Sequence, residues 1–244
     1  METDSVADIY HNHNDTITTI VIDEKEEYLI SGSKSGECIV WKIVPETTKL
    51  SIKFQFFDHE DMINQIFISY ELRLFATAGN DGRVNIYHFV SGQLIRTIYH
   101  PSNLPVDMVV LSSCPLPSVV FFSSEDRTLY SYSINGRLLE TSSEDYGHAL
   151  SPIIIKNLNF MELLVYGNEK GEVFVRELPF LELRKRWEIS ARHPIFNLAL
   201  SKDSRNLFVG CGDGDFVVLT NPTPLTQQTR RVEEDPNKSL DESK

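Results

Sequence analysis

Two glycine-rich motifs contain residue types that could carry out catalysis. Residues 32–36 begin and end with glycine, as a nucleophile elbow does, but Lys34 stands at the central position and a strand pattern follows where a helix is required. Gly210, Gly212 and Gly214 alternate like a phosphate-binding loop, yet they lack the dinucleotide spacing and no helix follows to hold an anion. Both motifs therefore indicate hairpin turns, and we predict no catalytic residue and no cofactor.

His11, His13 and Asp15 are the candidate metal ligands of the sequence. Alternate residues of an extended segment share one face, so these side chains could converge on an ion. A hydrogen-bonded network before the following strand uses the same residue types. We favour that structural interpretation and predict no metal site.

A basic cluster, Arg184, Lys185 and Arg186 beside Trp187, contrasts with the rest of the chain. The cluster could contact an acidic partner or an anionic lipid, but charge on an outer strand also discourages edge-to-edge pairing, and we favour the second interpretation. The whole chain has 23 basic and 35 acidic side chains and a net charge of -12. Because such a surface repels phosphate backbones, we predict no nucleic-acid partner.

Composition also bears on where the protein works. No run approaches the roughly 18 consecutive apolar residues that a membrane crossing needs, and the acidic N-terminus lacks the features of a secretory signal. Cys38, Cys114 and Cys211 lie far apart in the sequence. They indicate reduced thiols in a cytoplasmic protein whose membrane association is at most indirect.

A hairpin turn recurs along the chain at spacings of 46, 45, 44 and 43 residues, between apolar runs. The five turns are Ser35-Gly36, Asp81-Gly82, Asp126-Arg127, Lys170-Gly171 and Asp213-Gly214. A repeat of about 40 to 45 residues built from short strands is typical of one propeller blade. The sequence predicts an all-β propeller with five visible four-stranded repeats, the last of which lacks its outer strand because proline-rich residues 221–224 follow.

The repeats resemble the WD-repeat family. In that family a histidine before the inner strand, a serine or threonine in the second strand, an aspartate in the hairpin and a tryptophan in the third strand form one hydrogen-bond network. The first repeat has Ser35 in the aspartate position, the second has Tyr87 in the tryptophan position, and later repeats, where Gly147-His148 keeps the glycine-histidine pair, diverge further. The structural repeat positions are His13, Ser31, Gly36, Trp41, His59, Thr77, Asp81, Gly82, Tyr87, Tyr132, Gly171 and Gly214.

The order of segments 84–100, 132–139, 171–183 and 210–219 is similar to the C-terminal propeller of BEACH-domain proteins, the beige and neurobeachin group. That resemblance covers about residues 11–220. It implies a non-catalytic cytoplasmic scaffold in vesicle trafficking or autophagy, located at vesicle membranes, with a BEACH module in a longer chain. The alternatives are a generic WD adaptor of a ubiquitin-ligase, signalling or cytoskeletal complex, and a propeller hydrolase.

Domain organisation follows from the repeats. We assign residues 1–10 to an N-terminal segment that could supply a closing outer strand, 11–220 to the propeller and 221–244 to a disordered polar tail. Five repeats could close on themselves or form the C-terminal part of a seven-bladed ring. An open arc would expose apolar surface at both ends.

Hairpin turns and the links between repeats meet on one face of a propeller, so they define the predicted interaction surface. Its residues are Asp15, Lys34, Asp61, Asn80, Asp81, Glu125, Asp126, His148, Glu169, Lys170, His193 and Asp213. The set is acidic overall. We therefore expect protein or peptide partners with basic surfaces.

Overall fold

The computed structural model describes residues 8–44, 49–143, 150–156, 161–190 and 193–222, and within them the chain forms nineteen β-strands. Sheet 1 contains β1 (Ile17–Ile22), β2 (Tyr28–Ser33), β3 (Cys38–Ile43) and β4 (Leu50–Phe56). Sheet 2 contains β5 (Ile63–Ser69), β6 (Leu74–Gly79), β7 (Arg83–His88) and β8 (Gln93–Tyr99). Sheet 3 contains β9 (Met108–Ser112), β10 (Ser118–Ser123), β11 (Thr128–Ser133) and β12 (Leu138–Ser143).

The remaining strands form two more sheets. Sheet 4 contains β13 (Leu150–Lys156), β14 (Glu162–Gly167), β15 (Glu172–Glu177) and β16 (Glu182–Glu188). Sheet 5 contains β17 (Ile195–Leu200), β18 (Asn206–Cys211) and β19 (Phe216–Thr220). Every sheet is an antiparallel meander in which neighbours in sequence are neighbours in space, and within the described residues sheet 5 has three strands, as predicted.

The five sheets pack side by side like the blades of a propeller. Their inner strands, β1, β5, β9, β13 and β17, contact one another in that order. Four apolar clusters fill the spaces between successive sheets. The predicted all-β propeller with five repeats is therefore confirmed, and each repeat obtains its dry interior from its neighbour.

Burial explains why some strands lack the usual alternation of apolar and polar residues. All six residues of β10, Ser-Val-Val-Phe-Phe-Ser, are buried, because one face of sheet 3 packs on sheet 2 and the other on sheet 4. Val119 and Phe121 belong to the first interface, and Val120 and Phe122 to the second. A continuous apolar run is the pattern expected for a strand buried on both faces.

The part of the chain that the structure describes leaves one face of sheet 1 and one face of sheet 5 uncovered. No contact as extensive as those between successive sheets joins sheets 1 and 5 within the described residues. Ile20 of β1 is 57% exposed and Phe216 of β19 is 69% exposed, although both belong to apolar strand patterns. The strand register explains the exposure of Ile20. Val21 pairs with the packed Ile30, so the neighbouring Ile20 points to the opposite, uncovered face of sheet 1.

Two predicted segments lie partly outside the described residues. For the N-terminal segment, residues 1–7 are outside, and residues 8–10 carry no strand. Tyr10 packs edge-on against Trp41 with ring centroids 5.7 Å apart, and its hydroxyl accepts a hydrogen bond from the Leu50 amide at 2.9 Å. Residues 223–244, most of the predicted tail, are also outside. The closing strand and the disordered tail therefore stay predictions.

Candidate interaction site on the hairpin face

Backbone hydrogen bonds attach the hairpin turns of sheets 1, 2 and 5 to the links that enter the same sheets. The Lys34 amide donates to the Thr16 carbonyl at 2.8 Å, the Asn80 amide to Met62 at 2.9 Å, and the Gly212 amide to Pro194 at 2.8 Å. The turns and links consequently meet at one end of the strands. This surface consists of the hairpins between the second and third strands of the sheets and of the links that join one sheet to the next. We call it the hairpin face.

The hairpins also lie close to the links of the following sheets, which requires glycine at their tips. Gly36 has a φ of 83°, and a Cβ there would lie 2.6 Å from the His59 carbonyl oxygen. Gly82, Gly171 and Gly214 have positive φ values of 74°, 81° and 92° at the matching positions. In sheet 3 Arg127 takes this position with a φ of 56°, a conformation that favours glycine over most residues.

The polar network of sheet 1 joins the start of the chain to its first hairpin. His13 Nδ1 lies 3.0 Å from Glu37 Oε2, and its Nε2 lies 2.6 Å from the Ser31 hydroxyl. Trp41 Nε1 donates to the same hydroxyl at 2.8 Å. Sequence comparison placed Ser35 in the aspartate position, but Glu37, two residues later, supplies the carboxylate, since its longer side chain spans the extra distance. The network of the first repeat is thus complete.

Sheet 2 has the corresponding network, with a tyrosine in the position of the tryptophan. His59 Nδ1 lies 3.0 Å from Asp81 Oδ1, and its Nε2 lies 2.7 Å from the Thr77 hydroxyl. Tyr87 takes the tryptophan position, and its hydroxyl donates to Asp58 at 3.0 Å. Burial raises the pKa of the Asp81 carboxyl, but hydrogen bonds from His59 and from the Glu60 and Arg83 amides outweigh it, so the pKa lies below its ordinary value.

Sheet 3 contains a histidine network that sequence reasoning missed. His100 is buried, and its Nδ1 accepts from the amides of Ser102 and Leu104 at 3.1 and 3.3 Å. Its Nε2 lies 3.0 Å from Asp126 Oδ2, within ion-pair distance but without hydrogen-bond geometry. The Tyr130 hydroxyl donates to the same oxygen at 2.7 Å, and burial with Asp126 raises the Tyr130 pKa to about 12. The expectation that later repeats lack buried polar networks is therefore wrong for sheet 3.

The spacing of this network explains why it was missed. His100 ends the segment 84–100 of the second repeat and lies 41 residues after His59, several residues short of the offset that links His13 to His59. An acidic hairpin residue, Asp126, was the available signal, because the family pattern pairs that residue with a histidine on the preceding link. The other aromatic position, Tyr132, is half-buried and stacks on Phe121 with centroids 5.6 Å apart.

Sheet 4 uses other side chains at the same places. The Asn168 side chain donates to Glu172 at 2.8 Å, and Glu172 also pairs with Arg186. Arg176 takes the aromatic position, where its Nε donates to the Tyr166 hydroxyl at 2.9 Å and burial lowers its pKa to about 10. Among the described residues of sheet 4, the polar contacts thus come from one amide and from the buried charges of Glu172 and Arg176.

The structure divides the predicted interaction residues into exposed and internal ones. Asp81 has a side chain only 6% exposed and belongs to the His59 network, while Asp126 and Asn80 are half-buried, the latter accepting from the Asn64 side chain at 2.8 Å. His148 lies outside the described residues. The exposed members are Asp15, Lys34, Asp61, Glu125, Glu169, Lys170, His193 and Asp213. The exposed set has five carboxylates and two lysines, so the hairpin face stays acidic.

The basic cluster of sheet 4 is paired within its own chain. Arg184 Nε donates to Glu177 at 2.6 Å, and Arg186 pairs with Glu172. The Lys185 ammonium lies 4.4 Å from the centre of the Trp187 ring, a cation–π contact. These contacts agree with the structural interpretation of an outer strand.

The other side chains considered for catalysis or metal binding have hydrogen-bond partners or are buried. Both ring nitrogens of His13 are used by Glu37 and Ser31. Among the residues that the structure describes, no three histidine, cysteine, aspartate or glutamate side chains meet in a way that could hold a metal ion. Cys38, Cys114 and Cys211 are free, and burial raises the pKa of the Cys38 and Cys211 thiols. The described residues include no helix with the length and apolarity of a membrane span.

The stacked antiparallel sheets, four of them four-stranded, and the histidine networks define a WD-repeat propeller, a class of protein-interaction scaffold. A family model described as the neurobeachin beta propeller domain matches residues 54–229, and the WD domain, G-beta repeat model matches residues 5–42. The first match spans well over half of the chain. The chain therefore belongs to the neurobeachin β-propeller family, a family of WD-repeat scaffolds.

Individual relatives agree with this assignment. BEACH domain-containing protein B of Arabidopsis thaliana is 25% identical over 244 residues, which cover 90% of this chain and 9% of that protein. BEACH domain-containing protein lvsD of Dictyostelium discoideum is 26% identical over 231 residues, covering 70% of this chain and 8% of that protein. The chain thus spans less than a tenth of either relative.

Solved structures show the same fold. The β-propeller domain of Cps50 (Swd1) from Myceliophteria thermophila superposes with a TM-score of 0.68 at 18% identity and covers 85% of this chain. The computationally designed Ika8 protein gives a TM-score of 0.66, also at 18% identity and 85% coverage. This chain covers 66% of the first of those two chains and 59% of the second.

Proposed function

We propose that this propeller is the protein-binding module of a BEACH-type scaffold in vesicle trafficking or autophagy, and that its hairpin face captures partners with basic surfaces. The observation that carries this proposal is the row of exposed carboxylates on the hairpin face, of which Asp61, Glu125 and Asp213 lie in three different sheets or links. No catalytic step is part of the proposed activity.

Rigidity supports a recognition role for this face. Asp213 accepts from the Ser190 hydroxyl at 2.8 Å and from the Asp215 amide at 3.0 Å, and these hydrogen bonds lower its pKa, so it remains ionised. Asp61 accepts from the Met62 amide at 2.6 Å. Carboxylates held in this way present fixed negative charge, which accelerates association and selects partners by charge more than it adds affinity.

The family membership supports the remainder of the proposal. Both BEACH relatives are far longer than this chain, and we propose that a BEACH module accompanies this propeller in a longer polypeptide that acts in the cytoplasm near vesicle membranes. The open faces of sheets 1 and 5 fit this arrangement, since further propeller blades would cover them. The reading frame upstream of the gene segment that encodes residue 1 tests this part directly.

The binding proposal is tested with a charge-reversed hairpin face. The double variant Asp61→Lys, Glu125→Lys alters two exposed carboxylates and leaves the His59 and His100 networks intact. Partners are captured from cells with wild type and variant, identified by mass spectrometry, and their association rates measured at low and high salt. We expect the variant to lose the main partners and to slow association by about tenfold at low salt, with a smaller effect at high salt.

The matched control reverses two exposed carboxylates at the opposite end of the strands, Glu24→Lys with Glu26→Lys, which gives the same net charge. This control should retain partners at the wild-type rate. If the two double variants lose partners equally, total charge rather than the hairpin face governs binding. If both retain them, the hairpin face is not the binding surface.

One similarity favours a different assembly role. Pre-rRNA-processing protein IPI3 of Meyerozyma guilliermondii is 28% identical over 137 residues, covering 50% of this chain and 29% of that protein. A generic WD adaptor would have the same fold and other partners. The mass spectrometric comparison separates the two possibilities, because trafficking components are expected in the first case and a different stable complex in the second.

A further inference from the structure

Two aromatic side chains are exposed where the outer strands of sheets 1 and 2 reach the hairpin face. Phe57, the residue after β4, is 67% exposed, and Tyr99, the last residue of β8, is 57% exposed. Single exposed apolar residues are common on protein surfaces, but these two are connected by a third side chain, that of Arg83. We call Phe57, Asp58, Arg83 and Tyr99 the border patch.

Arg83 contacts the surroundings of both aromatic residues. It pairs with Tyr99 across β7 and β8, and its guanidinium carbon lies 5.8 Å from the centre of the Tyr99 ring. Its Nη1 donates to the Asp58 carbonyl oxygen, next to Phe57, at 3.1 Å. The same guanidinium forms an ion pair with Glu60. The border patch is therefore one continuous surface, formed by the link into sheet 2 and by sheet 2 itself.

Contacts on both sides of Phe57 hold its backbone in place. The preceding Phe56 ring packs on the Tyr87 ring with centroids 4.6 Å apart. The following residue, Asp58, accepts from the Tyr87 hydroxyl at 3.0 Å through its carboxylate and from Arg83 through its carbonyl oxygen. Phe57 thus presents an exposed ring on a fixed backbone, so a ligand that packs on this ring need not order the chain first.

The charges around Phe57 are mostly negative. Residues 57–62, which link β4 to β5, include no lysine or arginine and three exposed carboxylates, those of Asp58, Glu60 and Asp61. The adjoining hairpins of sheets 1 and 2, residues 34–37 and 80–83, add two cations and two carboxylates, those of Lys34, Arg83, Glu37 and Asp81. Five carboxylates thus accompany two cations, and Arg83 is already paired with Glu60 and lies 3.8 Å from Asp81. This surface therefore attracts a positively charged group.

The structure contains internal examples of the group that fits such a surface. Arg83 places its guanidinium against an aromatic ring while it pairs with a carboxylate. Arg186 does the same in sheet 4, where it lies 5.8 Å from the centre of the Phe174 ring and pairs with Glu172. A planar guanidinium stacks on an aromatic ring and pairs with a carboxylate better than an ammonium group does. The exposed Phe57 ring, beside exposed carboxylates, offers the same combination to a guanidinium of another molecule.

We propose that the border patch binds an arginine-containing segment of a protein partner, whose guanidinium stacks on Phe57 and pairs with Asp58. This inference rests on the proposed function, because it specifies which basic group the hairpin face recognises and where. Tyr99 contributes the neighbouring ring, one side of which Arg83 already covers. A lysine-rich segment gains the charge attraction but less of the stacking, so the border patch selects arginine over lysine.

The test is a nuclear magnetic resonance titration of the ¹⁵N-labelled chain at low salt with two peptides of equal charge, Gly-Arg-Ser-Arg-Ser-Gly and Gly-Lys-Ser-Lys-Ser-Gly. We expect the arginine peptide to bind saturably with a Kd below about 1 mM and to shift the amide signals of Phe57, Asp58 and Tyr99. The lysine peptide should bind at least about threefold more weakly, and Phe57→Ser should weaken binding of the arginine peptide by a similar factor.

Phe180→Ser is the matched control, because Phe180 is 58% exposed in the turn between β15 and β16, at the opposite end of the strands. This variant should bind the arginine peptide like wild type, and thermal unfolding shows that both variants are folded. The proposal is overturned if the arginine peptide does not saturate, if the shifted amides lie elsewhere, or if the two peptides bind equally. Equal binding by Phe57→Ser and Phe180→Ser would also overturn it.

Failure of this proposal is distinguishable from failure of the proposed function. If the border patch alone is wrong, the variant Asp61→Lys, Glu125→Lys loses its cellular partners while Phe57→Ser keeps them. If the hairpin face is not the binding surface, the charge-reversed variant keeps its partners, whatever the peptides do.

Discussion

Among the described residues, sheets 2, 3 and 4 are covered on both faces, whereas sheets 1 and 5 are covered on one. In sheet 3, Val109 and Val110 point to opposite sides of β9, and both are fully buried. In sheet 5, Leu207 is fully buried against sheet 4, while Phe216 and Val218 on the other face are exposed. A strand in the middle of the stack is thus buried on both faces, whereas a strand in an end sheet is buried on one.

This difference shows which sheets contribute most to the stability of the fold. Burial of apolar surface contributes about 25 cal/mol per Å², so a sheet with one open face gains roughly half of what a central sheet gains. Phe208 and Phe216 partly compensate by stacking on each other, with centroids 5.9 Å apart. We expect the end sheets to be the least stable part of the propeller and the part most in need of a covering partner.

The largest effect is expected from truncating a side chain on the packed face of sheet 5. Leu207→Ala should lower the free energy of unfolding by about 2 to 5 kcal/mol, because it leaves a cavity in the interface with sheet 4. Val218→Ala, on the open face of the same sheet, should change it by less than about 0.5 kcal/mol. Urea unfolding followed by circular dichroism measures both. Equal losses would show that the open face is covered in solution.

A smaller effect is expected from adding a methyl group between sheets 4 and 5. A Cβ on Gly167 would lie 2.5 Å from Ile195 Cβ, which cannot move without displacing β17. Gly167→Ala should therefore cost about 1 to 3 kcal/mol of unfolding free energy. Gly210→Ala is the matched control, since its nearest neighbours lie 3.8 and 3.9 Å away. A tolerated Gly167→Ala would mean that sheets 4 and 5 pack less tightly than the structure shows.

The smallest effect concerns equivalent hairpin carboxylates in a central and an end sheet. The low pKa of Asp81 means that its ionised form stabilises the folded state above the unfolded pKa of about 3.9, and that this contribution is lost as pH falls through the folded pKa. Asp81→Asn should cost about 1 kcal/mol at pH 7, and it should reduce the decline of stability as pH falls below about 4.

Asp213→Asn is the control for that prediction, because Asp213 has the matching place in sheet 5 but is exposed. Thermal unfolding across the pH range should show a smaller change for this variant than for Asp81→Asn, because solvent screens the hydrogen bonds of the exposed Asp213. If Asp81→Asn behaves like Asp213→Asn, the His59 network does not contribute to stability. A strong effect of Asp213→Asn would instead mean that its hydrogen bond to Ser190 holds the end sheet in place.

The fold could be predicted from the sequence because its main signals are local. Glycine tips such as Gly36 and Gly82 recur at a regular spacing between apolar runs, and each run forms a strand of the meander. The hydrogen-bond networks were only partly predictable, because they depend on distances in space. Glu37 contacts His13 from two residues beyond the position expected for the carboxylate. His100 lies beside Asp126 although its sequence spacing from His59 is shorter than that between His13 and His59.

Hydrogen exchange of the isolated chain, measured by mass spectrometry, tests whether the outer faces of sheets 1 and 5 are open. Strands β1 and β9 hold the same inner position, but β9 lies between two sheets and β1 borders an open face. The account predicts that the amides of β1 exchange markedly faster than those of β9, and that β19 exchanges faster than β11. Equal protection of β1 and β9 would contradict the account, because it would show that the end faces are covered.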